Sequence, residues 1–174
     1  MKHLGYTQID PAEITDNLIG LIASDWMLVT AGSTDKLNTM TANWGGAGYL
    51  WNKPVVFVFI RPERYTYGFI ENTEGFTLTF FDEGYRDALN LCGSKSGRDC
   101  DKVAETGLTP HFTELGYPAF TEARLVMECR KLYADQLTRE AFLDSEPLRT
   151  HYSTKGGMHK LYIAEIEKVW ARNP

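Results

Sequence analysis

Lys53-Pro54-Val55-Val56-Phe57-Val58-Phe59-Ile60-Arg61-Pro62 is the stretch on which the fold turns. Val55 to Ile60 is a continuous β-branched and aromatic run, introduced by a proline and closed by Arg61-Pro62, and it reads as a buried strand. Trp26 to Thr30 upstream reads the same way, followed by the turn-rich Gly32-Ser33-Thr34-Asp35. Thr39 to Asn43 is the next expected strand, running into the glycines at 45, 46 and 48. Downstream, Phe76 to Phe80 alternates apolar and polar residues, which predicts one buried and one open face. Further strands are expected at Ala123 to Tyr133, with Leu125, Met127 and Cys129 on one face, and at Leu161 to Val169. The helices between them are short. Asp10-Pro11-Ala12-Glu13 is a start signal with a capping box for a helix to about Gly20. Others are expected at Glu63 to Glu71, Tyr85 to Leu91, Asp101 to Glu105 ended by Gly107, and Thr138 to Leu143. Gly93 to Arg98 is expected to be a loop. Many short strands with few helices point to a mostly β, closed antiparallel barrel rather than alternating βαβ units.

A chain of 174 residues supports one well-buried core, so residues 1–174 are expected to form a single domain with its core between about 20 and 170. The net charge of −5 argues against a nucleic-acid partner, whose affinity comes largely from Lys and Arg neutralising phosphates. No apolar run reaches the length that spans a bilayer, and MKHLGYTQIDPAEIT holds no apolar signal core. Three cysteines without a CxxC pair suggest neither a disulfide framework nor a zinc cluster. The expectation is a cytoplasmic protein with reduced thiols.

Three stretches could carry chemistry. In Asn38-Thr39-Met40-Thr41-Ala42-Asn43-Trp44-Gly45-Gly46, short polar side chains alternate with apolar ones before glycine bares the backbone. A flat ligand edge could approach the backbone there, and an aromatic wall stands beside it. A bulged strand with a core tryptophan fits the same residues. In Arg61-Pro62-Glu63-Arg64-Tyr65-Thr66-Tyr67, a strand end delivers an arginine beside a helix start, which suits a phosphate or an ordinary solvated surface. Gly93-Ser94-Lys95-Ser96-Gly97-Arg98-Asp99 packs two cations, two hydroxyls and two glycines into an anion-binding nest or a flexible basic loop. GxxxxGK[ST], GxGxxG after a strand, GxSxG and HExxH are all absent. Tyr152 to Lys160 is a lid or a simple loop.

Taken in order, these pieces, with Trp51-Asn52-Lys53-Pro54 and Asp101-Lys102, resemble the flavin reductase-like family of FMN-binding split barrels, and its flavoredoxin-type branch in particular. The resemblance covers about residues 20 to 170. It implies an antiparallel Greek-key split β-barrel, a homodimer, and one FMN per subunit near the dimer interface. By that resemblance Thr39, Met40, Thr41, Ala42, Asn43 and Trp44 line the isoalloxazine, with Asn43 at its pyrimidine edge. Arg61, Thr66, Lys95, Ser96, Gly97 and Arg98 hold the ribityl phosphate region. Lys95 is the first choice for a cation near the flavin N1–C2=O edge, which stabilises the reduced anion.

No catalytic dyad emerges. That agrees with hydride transfer, in which the protein contributes binding, orientation and electrostatics. The leading expectation is an NAD(P)H-dependent flavin oxidoreductase. An electron carrier reduced by a donor protein and a non-enzymatic flavin-binding barrel are the alternatives.

Overall fold

The computed structural model describes residues 1–153 and 156–173. The strands are β1 Tyr6–Ile9, β2 Met27–Gly32, β3 Leu37–Ala42, β4 Gly45–Leu50, β5 Lys53–Ile60, β6 Gly75–Phe80, β7 Pro110–Phe112, β8 Pro118–Phe120, β9 Leu125–Gln136 and β10 Lys160–Arg172. Between them lie α1 Leu18–Gly20, α2 Tyr65–Glu71, α3 Arg86–Ser94, α4 Lys102–Thr106 and α5 Glu146–His151. Eight strands form one antiparallel sheet in the order β3-β2-β6-β9-β10-β5-β4, with β1 also paired to β10. The sheet curls without closing. Many short strands with few helices suggested a closed barrel, but β3 and β4 remain as two free edges, joined in the chain by Asn43-Trp44. This is the split barrel.

The strands alternate across the sheet as the pleat requires. Met27, Val29 and Ala31 of β2, Phe76, Leu78 and Phe80 of β6, and Leu125, Met127 and Cys129 of β9 point into the barrel core. Leu28, Val126 and Trp170 point the other way, into a second cluster with Leu89 and Cys92 of α3 and Phe120 of β8. That second cluster overturns the expectation of an open face on β6. All six residues of β6 are buried, because the β7–β8 ribbon and the segments beside it cover its outer side. The two threonines there are satisfied through backbone carbonyls: Thr77 Oγ1 donates to the Pro118 carbonyl at 2.5 Å and Thr79 Oγ1 to that of Leu28 at 3.5 Å.

Other expectations need correction. The helix expected from Asp10 to Gly20 is broken. The capping box at Asp10 and Glu13 forms, but it opens only a 3-10 turn at Pro11–Glu13, after which Ile14 is extended. Asn17 then caps α1 anew, accepting from the Ile19 and Gly20 amides, and a π-turn follows at Leu21–Asp25. The glycines at 45, 46 and 48, left without an element in the sequence, form strand β4, paired with β5 through a two-residue turn whose Trp51 and Asn52 both have positive φ. That is the hairpin geometry that suits sheet twist. In place of one helix at Thr138 to Leu143 there is a 3-10 turn at Arg139–Ala141, then α5 starting next to Pro147. α4 is as expected: Asp101 accepts from the Val103 and Ala104 amides, and Gly107 closes the helix at φ 69. Among the described residues no helix is long and apolar enough to cross a membrane.

Candidate functional site

Three cavities follow one another along β3. The first, about 410 Å³, is lined by Met40, Thr41, Ala42, Asn43 and Trp44, with Phe59, Arg61, Arg64, His151 and His159 opposite. The second, about 450 Å³, shares Met40 and Arg64 with the first and adds Thr66, Lys95, Ser96, Arg98 and Lys102. The third, about 630 Å³, shares Arg98 and Lys102 with the second and reaches Leu37, Asn38 and Thr39. β3 has a neighbour strand on one side only. α3 covers part of it: Thr41 Oγ1 donates to the Leu89 carbonyl at 2.5 Å, and a Cβ on Gly93 would lie 3.3 Å from the Thr41 Cβ.

The twelve residues expected from sequence fall into three groups. Met40, Thr41, Ala42, Asn43, Trp44 and Arg61 line the first cavity. Thr66, Lys95, Ser96 and Arg98 line the second, with Met40 again. Thr39 and Gly97 lie in the third. Arg61, expected with the phosphate residues, instead turns toward the segment that follows α5. It donates to the His151 carbonyl at 2.6 Å and stacks 5.3 Å from the Tyr152 ring. Lys95 is half exposed and paired with Glu105 at 2.6 Å. Gly97 is tightly placed, since a Cβ there would sit 2.0 Å from Asn38 Oδ1 and 3.0 Å from the Tyr65 ring. Arg98 donates to the Glu63 carbonyl at 3.1 Å and stacks on Tyr65 at 4.9 Å, tying its loop to the start of α2.

Four residues outside that set belong to the site. Lys102 is 6% exposed, and its Nζ donates to the Thr39 and Cys92 carbonyls, each at 2.8 Å. No carboxylate pairs with it among the described residues, and burial, with Arg64 nearby, lowers its pKa from the ordinary lysine value. Asp101 caps α4 and so sends the next side chain inward, between β3 and α3. Asn38, also buried, donates to Thr66 Oγ1 at 2.7 Å. Arg64 donates to the Gly93 carbonyl at 2.9 Å and lines both of the first two cavities. His159 shares a 2.7 Å hydrogen bond with the Tyr152 hydroxyl. Its ring lies 5.1 Å from that of Trp44, which also meets the His151 ring edge-on at 4.9 Å. Burial, reinforced by Arg61, lowers the His159 pKa to about 4, so its ring is neutral near pH 7. Of the Tyr152 to Lys160 stretch, Thr154 and Lys155 lie outside the described residues. Gly157 donates its amide to Glu63, which ties that stretch to the Arg61-Pro62-Glu63 turn.

The arrangement can hold a flat polar ring against β3 at the split, and an anion farther along the same strand over a buried ammonium. Residues 19–174 match the model of the flavin reductase like domain. Similar solved structures include a flavoredoxin from Methanosarcina acetivorans (TM-score 0.69, 20% identity, covering 95% of this chain and 77% of that one). Another is the flavoredoxin of Desulfovibrio vulgaris (Miyazaki F) (TM-score 0.68, 23% identity, 95% and 78%). A third is an NADH:FAD oxidoreductase of Streptomyces globisporus (TM-score 0.63, 16% identity, 86% and 76%). No curated protein matches the sequence at a significant level.

Proposed function

The chain belongs to the flavin reductase-like family, and on that premise we propose that it is an FMN-holding oxidoreductase that accepts hydride from NADH or NADPH. The observation that carries this reading is Lys102, a buried cation with two carbonyl acceptors and, among the described residues, no carboxylate, at the junction of cavities lined by β3. A buried ammonium without a counter-charge is costly unless something anionic completes it. The residues fit the cofactor. Asn43, Trp44 and the β3 backbone would receive the ring system, while Thr66, Ser96, Arg98 and Lys102 would hold the phosphate region. Lys95, engaged by Glu105, would stand at the rim. FMN, when bound, supplies the hydride-accepting chemistry.

The protein's own part is binding and orientation. The free edge of β3 offers backbone groups to a flat heterocycle. Trp44, braced by His151 and His159, walls the cavity at the split. His159, neutral near pH 7, and the Arg61 guanidinium keep that mouth polar. The exposed Tyr49 and Trp51 of the β4–β5 hairpin support a homodimer formed over this edge. Anaerobic titration of the FMN-loaded protein with each nucleotide, followed by flavin absorption, tests the reading. Bleaching by NADH or NADPH is expected. Bleaching by dithionite alone would replace the reductase with a carrier served by a donor protein, and failure to load FMN would remove the proposal.

A further inference from the structure

Gly68 stands in the middle of α2 for no reason that the helix supplies. Its φ is not positive, so the backbone there accepts any ordinary residue. A Cβ built on it meets nothing within 4 Å, so no neighbour claims the space either. A glycine inside a helix weakens it relative to alanine. What the missing side chain leaves is a groove of about 520 Å³ along the outer side of α2, bounded opposite by Gly32, Ser33 and Lys36 at the β2–β3 connection. That volume suits a small molecule. The groove touches the first cavity only at Arg64, and the second and third only at Lys36, Arg64, Tyr65 and Arg98; the rest of its lining is its own.

The walls are aromatic. Tyr65, Tyr67 and Phe69 line it, each half-buried, with Pro62 beside them. The charges are of one sign: Lys36, Arg64 and Arg98 line it, and among the described residues no carboxylate does. Nor is any of the three in an ion pair among those residues. Arg64 donates to the Gly93 carbonyl at 2.9 Å and Arg98 to that of Glu63 at 3.1 Å. A guanidinium has five N–H donors, so most of theirs remain unspent. Lys36 and Arg98 are steadied over the Tyr65 ring at 5.5 and 4.9 Å, and Phe69 meets that ring edge-on at 5.2 Å. A purely apolar ligand would leave three cations unanswered, and inorganic phosphate would leave the aromatic walls unused. A planar ring that bears one carboxylate uses both.

We propose that this groove is an effector site for a small aromatic carboxylate, opposed to flavin retention through the arginines that the two sites share. Arg64 and Arg98 also line the second cavity, to which the flavin phosphate is assigned. The opposition therefore rests on the flavin reading, while the groove stands without it. Two anions that call on the same pair of guanidiniums bind less tightly together than apart, and each weakens the other by the same factor.

Calorimetric titration of FMN-loaded protein with benzoate and 2-naphthoate tests the site, with acetate and benzyl alcohol supplying the charge and the ring alone. The variant is Gly68→Phe, which fills the groove from a position outside the flavin cavities; Gly68→Ala controls for the helix. One aromatic carboxylate per chain is expected, bound at least about tenfold more tightly than acetate or benzyl alcohol. Gly68→Phe should lose it and Gly68→Ala keep it. Both variants should bind FMN as the parent does. Saturating 2-naphthoate should weaken FMN binding about fivefold in the parent and not in Gly68→Phe. No carboxylate bound by the loaded protein, or binding that Gly68→Phe leaves intact, overturns the site. Binding with FMN affinity unchanged overturns the effector role. Binding by apoprotein that refuses FMN, lost in Gly68→Phe, would support the site and remove the flavin reading.

Discussion

Replacing Lys102 with methionine separates a cation that serves the fold from one that serves a ligand. In the ligand-free protein the ammonium makes two hydrogen bonds of 2.8 Å, to Thr39 and Cys92 carbonyls. Losing both costs up to a few kcal/mol, but the same change removes a buried charge that lacks a counter-ion. These effects oppose each other, so stability should move by no more than about 1 kcal/mol. Flavin binding has no such offset. One charge-assisted contact contributes about 1.5–3 kcal/mol, so Kd should rise about tenfold to a hundredfold. Lys95→Met is the comparison, because its amine is held by Glu105 at the surface; exposed pairs are worth under about 1 kcal/mol.

The pH dependence adds a sign test. The Lys102 pKa is lowered in the folded protein, so the unfolded chain holds the extra proton between the two pKa values. Folding stability therefore rises with pH across that alkaline window. Flavin affinity moves the other way, falling as the ammonium discharges below the ordinary lysine value of 10.5. Both limbs should vanish in Lys102→Met. Calorimetric FMN titrations from pH 7 to the alkaline side, paired with thermal melts, measure the two together. Full flavin affinity in Lys102→Met, with release in Lys95→Met, would refute the assignment.

Four further outcomes are expected. The His159 pKa falls from 6.5 to about 4, so its stabilising contribution is complete above pH 6.5 and is lost as pH drops to about 4. That loss amounts to about 3 kcal/mol, and urea melts of His159→Gln should show a flatter acid limb. Gly97→Ala forces a Cβ against Asn38 Oδ1 and should cost about 1–3 kcal/mol along with flavin retention. Gly84→Ala meets nothing within 4 Å and should be neutral or stabilising by under about 1 kcal/mol in the same melts. Thr77→Val strips the buried donor from the Pro118 carbonyl and should lose about 1–3 kcal/mol in chemical denaturation; no loss would mean that β6 keeps an open face.

The sequence was most readable where local chemistry and tertiary context agree. Val55 to Ile60 lies between β4 and β10, and its alternate residues Val56, Val58 and Ile60 enter the core, as the pleat of a strand requires. Asp101 and Gly107 bound α4 because capping is a contact within one turn. The misreadings share a cause at longer range. Thr77 and Thr79 look solvent-facing until β7 and β8, more than thirty residues later, fold over them. β1 has little apolar character of its own and exists because it pairs with the last four residues of β10. Lys102 appeared only as a neighbour of Asp101 in a motif, for nothing in an Asp-Lys pair says that the amine will be covered by α3. Arg61 was expected beside a phosphate from its place at a strand end before a helix start; in the structure its guanidinium meets His151 and Tyr152, ninety residues on, partners that no local pattern announces.

The split itself explains why the site lies where it does. Free strand edges invite pairing with other chains, and proteins blunt them. β4 carries no charge or proline to do so, and β3 has only Lys36, just before its start, and α3 beside it. Were the sheet to close, β3 would pair with β4. Its backbone groups would then be spent, and Asn43 and Trp44 would be an ordinary hairpin turn between them. Held apart, the same two residues bridge a gap whose floor is bare strand and whose far end is a buried ammonium. The opening that leaves the barrel incomplete is what would give the proposed flat, anionic ligand both an edge to pair with and a charge to answer.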